Sequence, residues 1–286
     1  ESSISESGDA HGPRGPLRTH LSVAAALVAA AALFWPALGW VGATWAVNPY
    51  YSHGPLVAVA ALVLAVRGAR RVGPADPSAI GLAVVLGAVG VHALAARDAV
   101  WWVSAFAFVG VLAGGCLILG GRSWLRAMAL PLALLALAVP LPFVAYIAPR
   151  LAAVVAGHAA TLATLVGVDV IHRGPQLFVG DGSYQVGAPC SGLRSSVALL
   201  TLAVGLAGVL RGPIARRAAL VALAVPLALA ANTLRLSGLL VFADAFGTAS
   251  GLAYYHGPSS LLLFAAAAVG LFGLGRAMGC DVVQRG

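Results

Sequence analysis

Val100–Leu119 reads VWWVSAFAFVGVLAGGCLIL and Trp124–Phe143 reads WLRAMALPLALLALAVPLPF, with only Gly120-Gly-Arg-Ser123 between them. Each run has roughly the 20 residues that carry an α-helix across a bilayer. A joint of four residues holding Arg122, with Arg126 just beyond it, reads as a short cytoplasmic turn, because such turns retain positive charge.

The rest of the chain repeats this pattern. Hydrophobic residues make up 60% and charged residues 9% of 286, against about 25% charged in an ordinary soluble domain. Further apolar segments run at about 21–39, 54–66, 79–96, 149–168, 191–210, 218–242 and 257–277. The expected class is an all-α polytopic membrane protein, with residues 21–286 as a single transmembrane domain behind a flexible cytoplasmic lead, 1–20, rich in Ser, Gly, Pro and charge.

The formal charge of +8 does not point to nucleic acid. Basic residues stand singly or in small groups between apolar runs, not in a stripe interleaved with aromatics. All 17 are Arg, so a Schiff-base lysine and a Ser-Lys dyad are excluded. Cys116, Cys190 and Cys280 follow no metal-ligand spacing, and no cofactor is expected. Acidic residues avoid the middle of the apolar runs, which argues against a proton-coupled pump.

Arginine placement sets the expected topology. The strongly basic joints hold Arg14 and Arg18; Arg67, Arg70 and Arg71; Arg122 and Arg126; and Arg211, Arg216 and Arg217. All four, with a tail holding Arg276 and Arg285, fit inside only if one segment between 127 and 210 fails to cross. The segment 149–168, bounded by Pro140, Pro142 and Pro149 and carrying His158, Thr161 and Thr164, suits an interfacial or re-entrant helix. About eight transmembrane helices result, with both termini inside. Loops at 48–53, 97–98, 140–190 and 244–256 then face outward, and alternation around Gly180-Asp-Gly182 predicts a short extracytoplasmic β-hairpin.

Residues with chemical potential gather on that outer face. Ala188-Pro-Cys-Ser-Gly-Leu-Arg-Ser195 opens a span and puts Cys190 at or just before a first helical turn. The positive helix end favours a thiolate there, Arg194 one turn on adds to it, and Ser191 is placed as a helix cap. Ala231-Asn-Thr-Leu-Arg-Leu236 puts Asn232 and Arg235 one turn apart in the outer half of a span, where a cation needs an internal partner or a wet site. His256 in Tyr254-Tyr-His-Gly-Pro258 and His53 in Tyr50-Tyr-Ser-His-Gly-Pro55 occupy look-alike turns. Either can move a proton near neutral pH, and the sequence does not separate them.

The ordered set of a Cys-Ser-Gly-Leu-Arg-Ser element, Asn-x-x-Arg in the following span and a His before the last one resembles the exosortase and archaeosortase family of membrane cysteine transpeptidases. The Tyr-Ser-His-Gly turn is similar too, and the likeness runs from about Asn48 to the end. The resemblance implies Cys190 as nucleophile, Arg235 as the cation that stabilises developing charge and His256 as the proton-transfer residue. Arg194, Asn232, Ser191 and His53 would support them. It also implies partners: membrane-anchored exported proteins with a C-terminal sorting signal of the PEP-CTERM type, and an acceptor that is a lipid amine, another group or water. The expected location is the bacterial inner membrane, with the site on the extracytoplasmic side. The competing reading is a transporter or polysaccharide-export component with Arg235 and the histidines along a polar path. A non-catalytic scaffold and a rhomboid-like serine protease fit the residues less well.

Overall fold

A computed structural model describes residues 16–70, 72, 76–187, 190–247 and 258–282. The helices are α1 (Pro16–Leu33), α2 (Trp35–Val47), α3 (Gly54–Ala69), α4 (Ile80–Arg97), α5 (Trp101–Ala138), α6 (Val144–Leu165), α7 (Leu193–Val209), α8 (Ile214–Phe246) and α9 (Pro258–Ala277). Three short strands, β1 (Val170–Arg173), β2 (Gln176–Val179) and β3 (Gly182–Gln185), lie between α6 and α7. β4 (Leu210–Arg211) pairs with β5 (Asp281–Val282).

The stretch that opened the sequence reading forms α5, broken at Gly121, whose φ of 69° and ψ of −152° no helix contains. Ala105 and Val139 join the same buried cluster with Val41. A straight helix would hold them about 50 Å apart at 1.5 Å per residue, so α5 is folded back on itself. Gly121 is required there: its φ is left-handed, and a Cβ would overlap the Asp76 carbonyl oxygen.

The fold-back defines two ends of the bundle. At one end, Gly68 near the close of α3 approaches Ala127 and Met128, Gly208 near the close of α7 approaches Leu130, and Arg216 reaches Met278 beyond α9. The joints with Arg67 and Arg70, Arg122 and Arg126, Arg211, Arg216 and Arg217, and Arg276 therefore share this arginine end. At the other end Trp45 donates from Nε1 to the Ala138 carbonyl at 2.8 Å. Tyr50 and Tyr51 pack there on Val144, Ala148, Leu193 and Val197.

α8 has 33 residues, about 50 Å of helix, well beyond the roughly 30 Å hydrocarbon thickness. Its far third carries Leu236, Leu239, Leu240 and Ala243, which pack on the alanine-rich face of α6 and on Leu177, Val179 and Tyr184 of the sheet. Ser237 Oγ donates to the Ala159 carbonyl at 3.2 Å. α6 thus leaves the bundle at Tyr50 and Tyr51, follows the far part of α8, and does not return to the arginine end.

The structure refines several expectations. Four described helices are long and apolar enough to cross a membrane, or five if α1 and α2 form one broken span. Eight crossings are not established by length: α3 and α7 fall short, and the two arms of α5 count as one helix. α6, expected to be interfacial or re-entrant, meets the length and composition test although its packing confines it to one end. The run expected at 21–39 bends by 71° between Leu33 and Trp35, with Pro36 opening α2. The expected hairpin is a three-stranded antiparallel sheet, because Val170–Arg173 also pairs, in register Val170 to Val179.

Candidate active site

Three elements meet at the far end of the bundle. The sheet delivers the chain through Val186 and Gly187 to Cys190, whose amide donates to the Gly187 carbonyl at 3.0 Å. Cys190 is half-buried and outside any disulfide. α7 starts at Leu193, so Cys190 lies just ahead of the helix and not on its first turn. The reason is Gly192, at φ 80°, which turns the chain into the helix. The Gly192 carbonyl accepts from Ser195 Oγ and Ser196 Oγ, both at 2.8 Å. Ser191 is fully buried, and its Oγ accepts from the Leu193 amide at 3.3 Å in a local turn; the N-cap of α7 is Gly192, not Ser191 as the sequence suggested.

α8 supplies the second wall. Asn232 is buried and donates from Nδ2 to the Cys190 carbonyl at 2.8 Å. A Cβ on Gly192 would stand 3.0 Å from that same Nδ2, so only glycine lets the Cys190 segment lie this close to α8. Arg235 lies one turn along, in the outer half of α8 as its sequence position suggested. α8 continues to Phe246, and α6 and the sheet cover the turns just beyond Arg235, at Leu236, Leu239, Leu240 and Ala243.

The third element is the turn before α3. Tyr50 donates its amide to Asn48 Oδ1 at 2.9 Å, and Gly54 donates to the Tyr51 carbonyl at 2.8 Å. Tyr51 is 2% exposed, and the His53 ring stacks on it at 6.3 Å and 16°. Arg194 reaches across from α7 and donates from Nη2 to Ser52 Oγ at 3.0 Å.

The turn before α3, α7 and α8 line one cavity of about 740 Å³, within the range for small-molecule sites; Cys190 is not among its lining residues and is tied to that wall through Asn232. Its polar lining includes Ser52, His53, Arg194, Ser195, Thr201, Asn232 and Arg235. Apolar side chains of α3, α7, α8 and α9, among them Leu64, Leu206 and Phe264, form the rest. Burial first, and the Arg194 charge second, hold His53 below the ordinary histidine pKa. Its Nε2 is enclosed and has no hydrogen-bond partner among the described residues.

The profile of the family described as transmembrane exosortase (Exosortase_EpsH) matches residues 45–273. The chain belongs to the transmembrane exosortase family. No curated protein and no solved structure matches it. It is a multi-pass membrane protein of that family.

Of the seven residues singled out in this exosortase, His53, Arg194, Asn232 and Arg235 line the cavity, while Cys190 and Ser191 lie behind Asn232, Cys190 joined to it through its backbone carbonyl. His256 lies outside the described residues, two positions before α9, the helix whose Leu261 and Phe264 line the cavity. The sequence reading missed Ser52 and Gly192. A glycine between a serine and a helical run was the available signal for Gly192. Ser52 had none, because its partner is 142 residues away.

Proposed function

We propose that this exosortase cleaves the C-terminal sorting signal of exported proteins and joins the new C-terminus to an acceptor, through a thioester on Cys190. The observation that carries the reading is the Asn232 hydrogen bond to the Cys190 carbonyl. It ties the cysteine segment to the helix face that presents Arg235 to the cavity.

The Cys190 thiolate adds to the scissile carbonyl, and Arg235 stabilises the oxyanion with its two-donor fork. As the carbon–nitrogen bond breaks, His256 gives its proton to the leaving amine, which remains on the signal helix. An incoming amine or water then attacks the thioester, giving up a proton to a neutral imidazole as the new bond forms; the carbon–sulfur bond breaks, and the thiolate is regenerated. Asn232 and Arg194 are positioning residues: the first fixes the Cys190 backbone, the second fixes the turn bearing His53. The residues act without a cofactor. The site belongs on the extracytoplasmic side of the bacterial inner membrane, because the arginine joints at the opposite end mark the cytoplasmic face.

Cys190→Ala tests this reading. Co-expression with a signal-bearing protein should leave that protein uncleaved, with the variant present at wild-type level in the membrane. Undiminished cleavage would sink the covalent mechanism and favour the transport reading.

A further inference from the structure

The Tyr50–His53 turn is built with more care than a surface loop requires. Tyr50 and Tyr51 are buried, Trp45 packs so closely on Gly54 that no other residue fits, and Arg194 bonds Ser52. The result is one imidazole nitrogen, His53 Nε2, enclosed in the wall of the cavity without a partner among the described residues. A buried polar atom left so is costly unless something arriving in the cavity completes it.

We infer that His53 is a second proton-transfer residue, the base that deprotonates the incoming acceptor when the Cys190 thioester is discharged. The inference rests on the thioester reading above and divides its two halves between two histidines. Acylation needs a group that enters protonated, so that it can give a proton to the leaving amine. His53 does not fit that part: burial and Arg194 disfavour its imidazolium. Among the described residues, the charged groups that line the cavity with it are both cationic, Arg194 from α7 and Arg235 from α8, while α9 offers Leu261, Leu263 and Phe264. A neutral imidazole suits the second half. An acceptor N–H or O–H hands its proton to Nε2 as its lone pair forms the new bond to the thioester carbon. The carbon–sulfur bond breaks, and the electrons return to Cys190 as thiolate. The proton leaves Nε2 afterwards, and the charges balance.

The test uses the full chain in membranes with a signal-bearing substrate, following both the covalent adduct on non-reducing gels and its release. His53→Gln should still form the adduct and accumulate it. Its release should slow by about a hundredfold, the lower range for loss of a positioned base. Hydroxylamine, which attacks thioesters without a base, should restore release. Discharge at the wild-type rate, or failure of His53→Gln to form the adduct while the wild type does, overturns the inference. If the wild type itself never forms an adduct that Cys190→Ala lacks, the thioester reading fails instead.

A second measurement separates this role from a structural one. Discharge by a base weakens as pH falls through that base's pKa. Arg194 lowers that pKa, so Arg194→Gln should move the acid limb of discharge to higher pH, part of the way because burial remains. An unmoved limb overturns the assignment as well.

Discussion

The two ends of the bundle use the same residue for opposite purposes. At the arginine end, guanidiniums close the chain on itself. Arg216 donates to the Met278 carbonyl at 2.9 Å and Arg217 to the Ala207 carbonyl at 3.1 Å, each tying off the close of a helix. At the cavity end, Arg194 has a neutral hydroxyl, Ser52, and Arg235 has no hydrogen-bond or ion-pair partner among the described residues. An arginine with a carbonyl to bond is finished when the protein folds. One that lines a cavity with its donors unspent is finished only when a ligand or a transition state supplies an anion.

The largest test of that contrast is at Arg235. Arg235→Lys keeps the charge but replaces a planar two-donor fork with a point charge. Removing an oxyanion donor typically costs about a hundred- to a thousandfold in rate. Cleavage of a signal-bearing substrate, at equal amounts of enzyme in membranes, should fall by that order while the protein stays folded. Near-normal cleavage would mean that only the charge matters, and the difference between the ends would reduce to exposure.

A smaller loss is expected when the tie between Cys190 and α8 is disturbed without touching either group. Gly192→Ala puts a Cβ on a residue at φ 80° and 3.0 Å from Asn232 Nδ2. Left-handed backbone costs a non-glycine residue about 1 to 3 kcal/mol, and Asn232 must shift as well. Thermal stability should drop, and cleavage should fall by roughly ten- to a hundredfold through misplacement of the nucleophile. Unchanged cleavage would show that the Asn232–Cys190 bond does not set the geometry of the reaction.

Much of this was legible in the sequence for a physical reason: charge near apolar runs reports which end a joint occupies. Arg67, Arg122, Arg211 and Arg276 do share an end, whereas α6, which that count required not to cross, is long and apolar enough to do so. What escaped was geometry decided by contacts distant in sequence. The bend between Leu33 and Trp35 lies inside a run that reads as continuous apolar helix. The third strand needs Val170–Arg173 to find Gln176–Val179, and period-two patterning over four residues is too short to announce it. The two histidine turns are nearly identical strings. The surroundings of His53, the buried Tyr51 beneath it and Arg194 arriving from α7, come from residues far apart in sequence.

The smallest expected effect lies at the arginine end and sharpens the contrast by its absence. Arg217 makes one hydrogen bond, to Ala207, while its Nε is enclosed without a partner among the described residues. Arg217→Met removes the bond, about 1.5 to 3 kcal/mol for a charged donor and less where it is exposed. It also removes the unsatisfied nitrogen, which works the other way, and keeps an apolar stem of similar length. The two changes should nearly cancel, so that thermal stability shifts by no more than a few degrees. Cleavage should stay within about twofold, because an Arg tied to a helix end contributes to no transition state. A loss approaching that of Arg235→Lys, in protein of undiminished stability and membrane content, would show that the arginine end is coupled to the reaction and that the two ends are not separable in function.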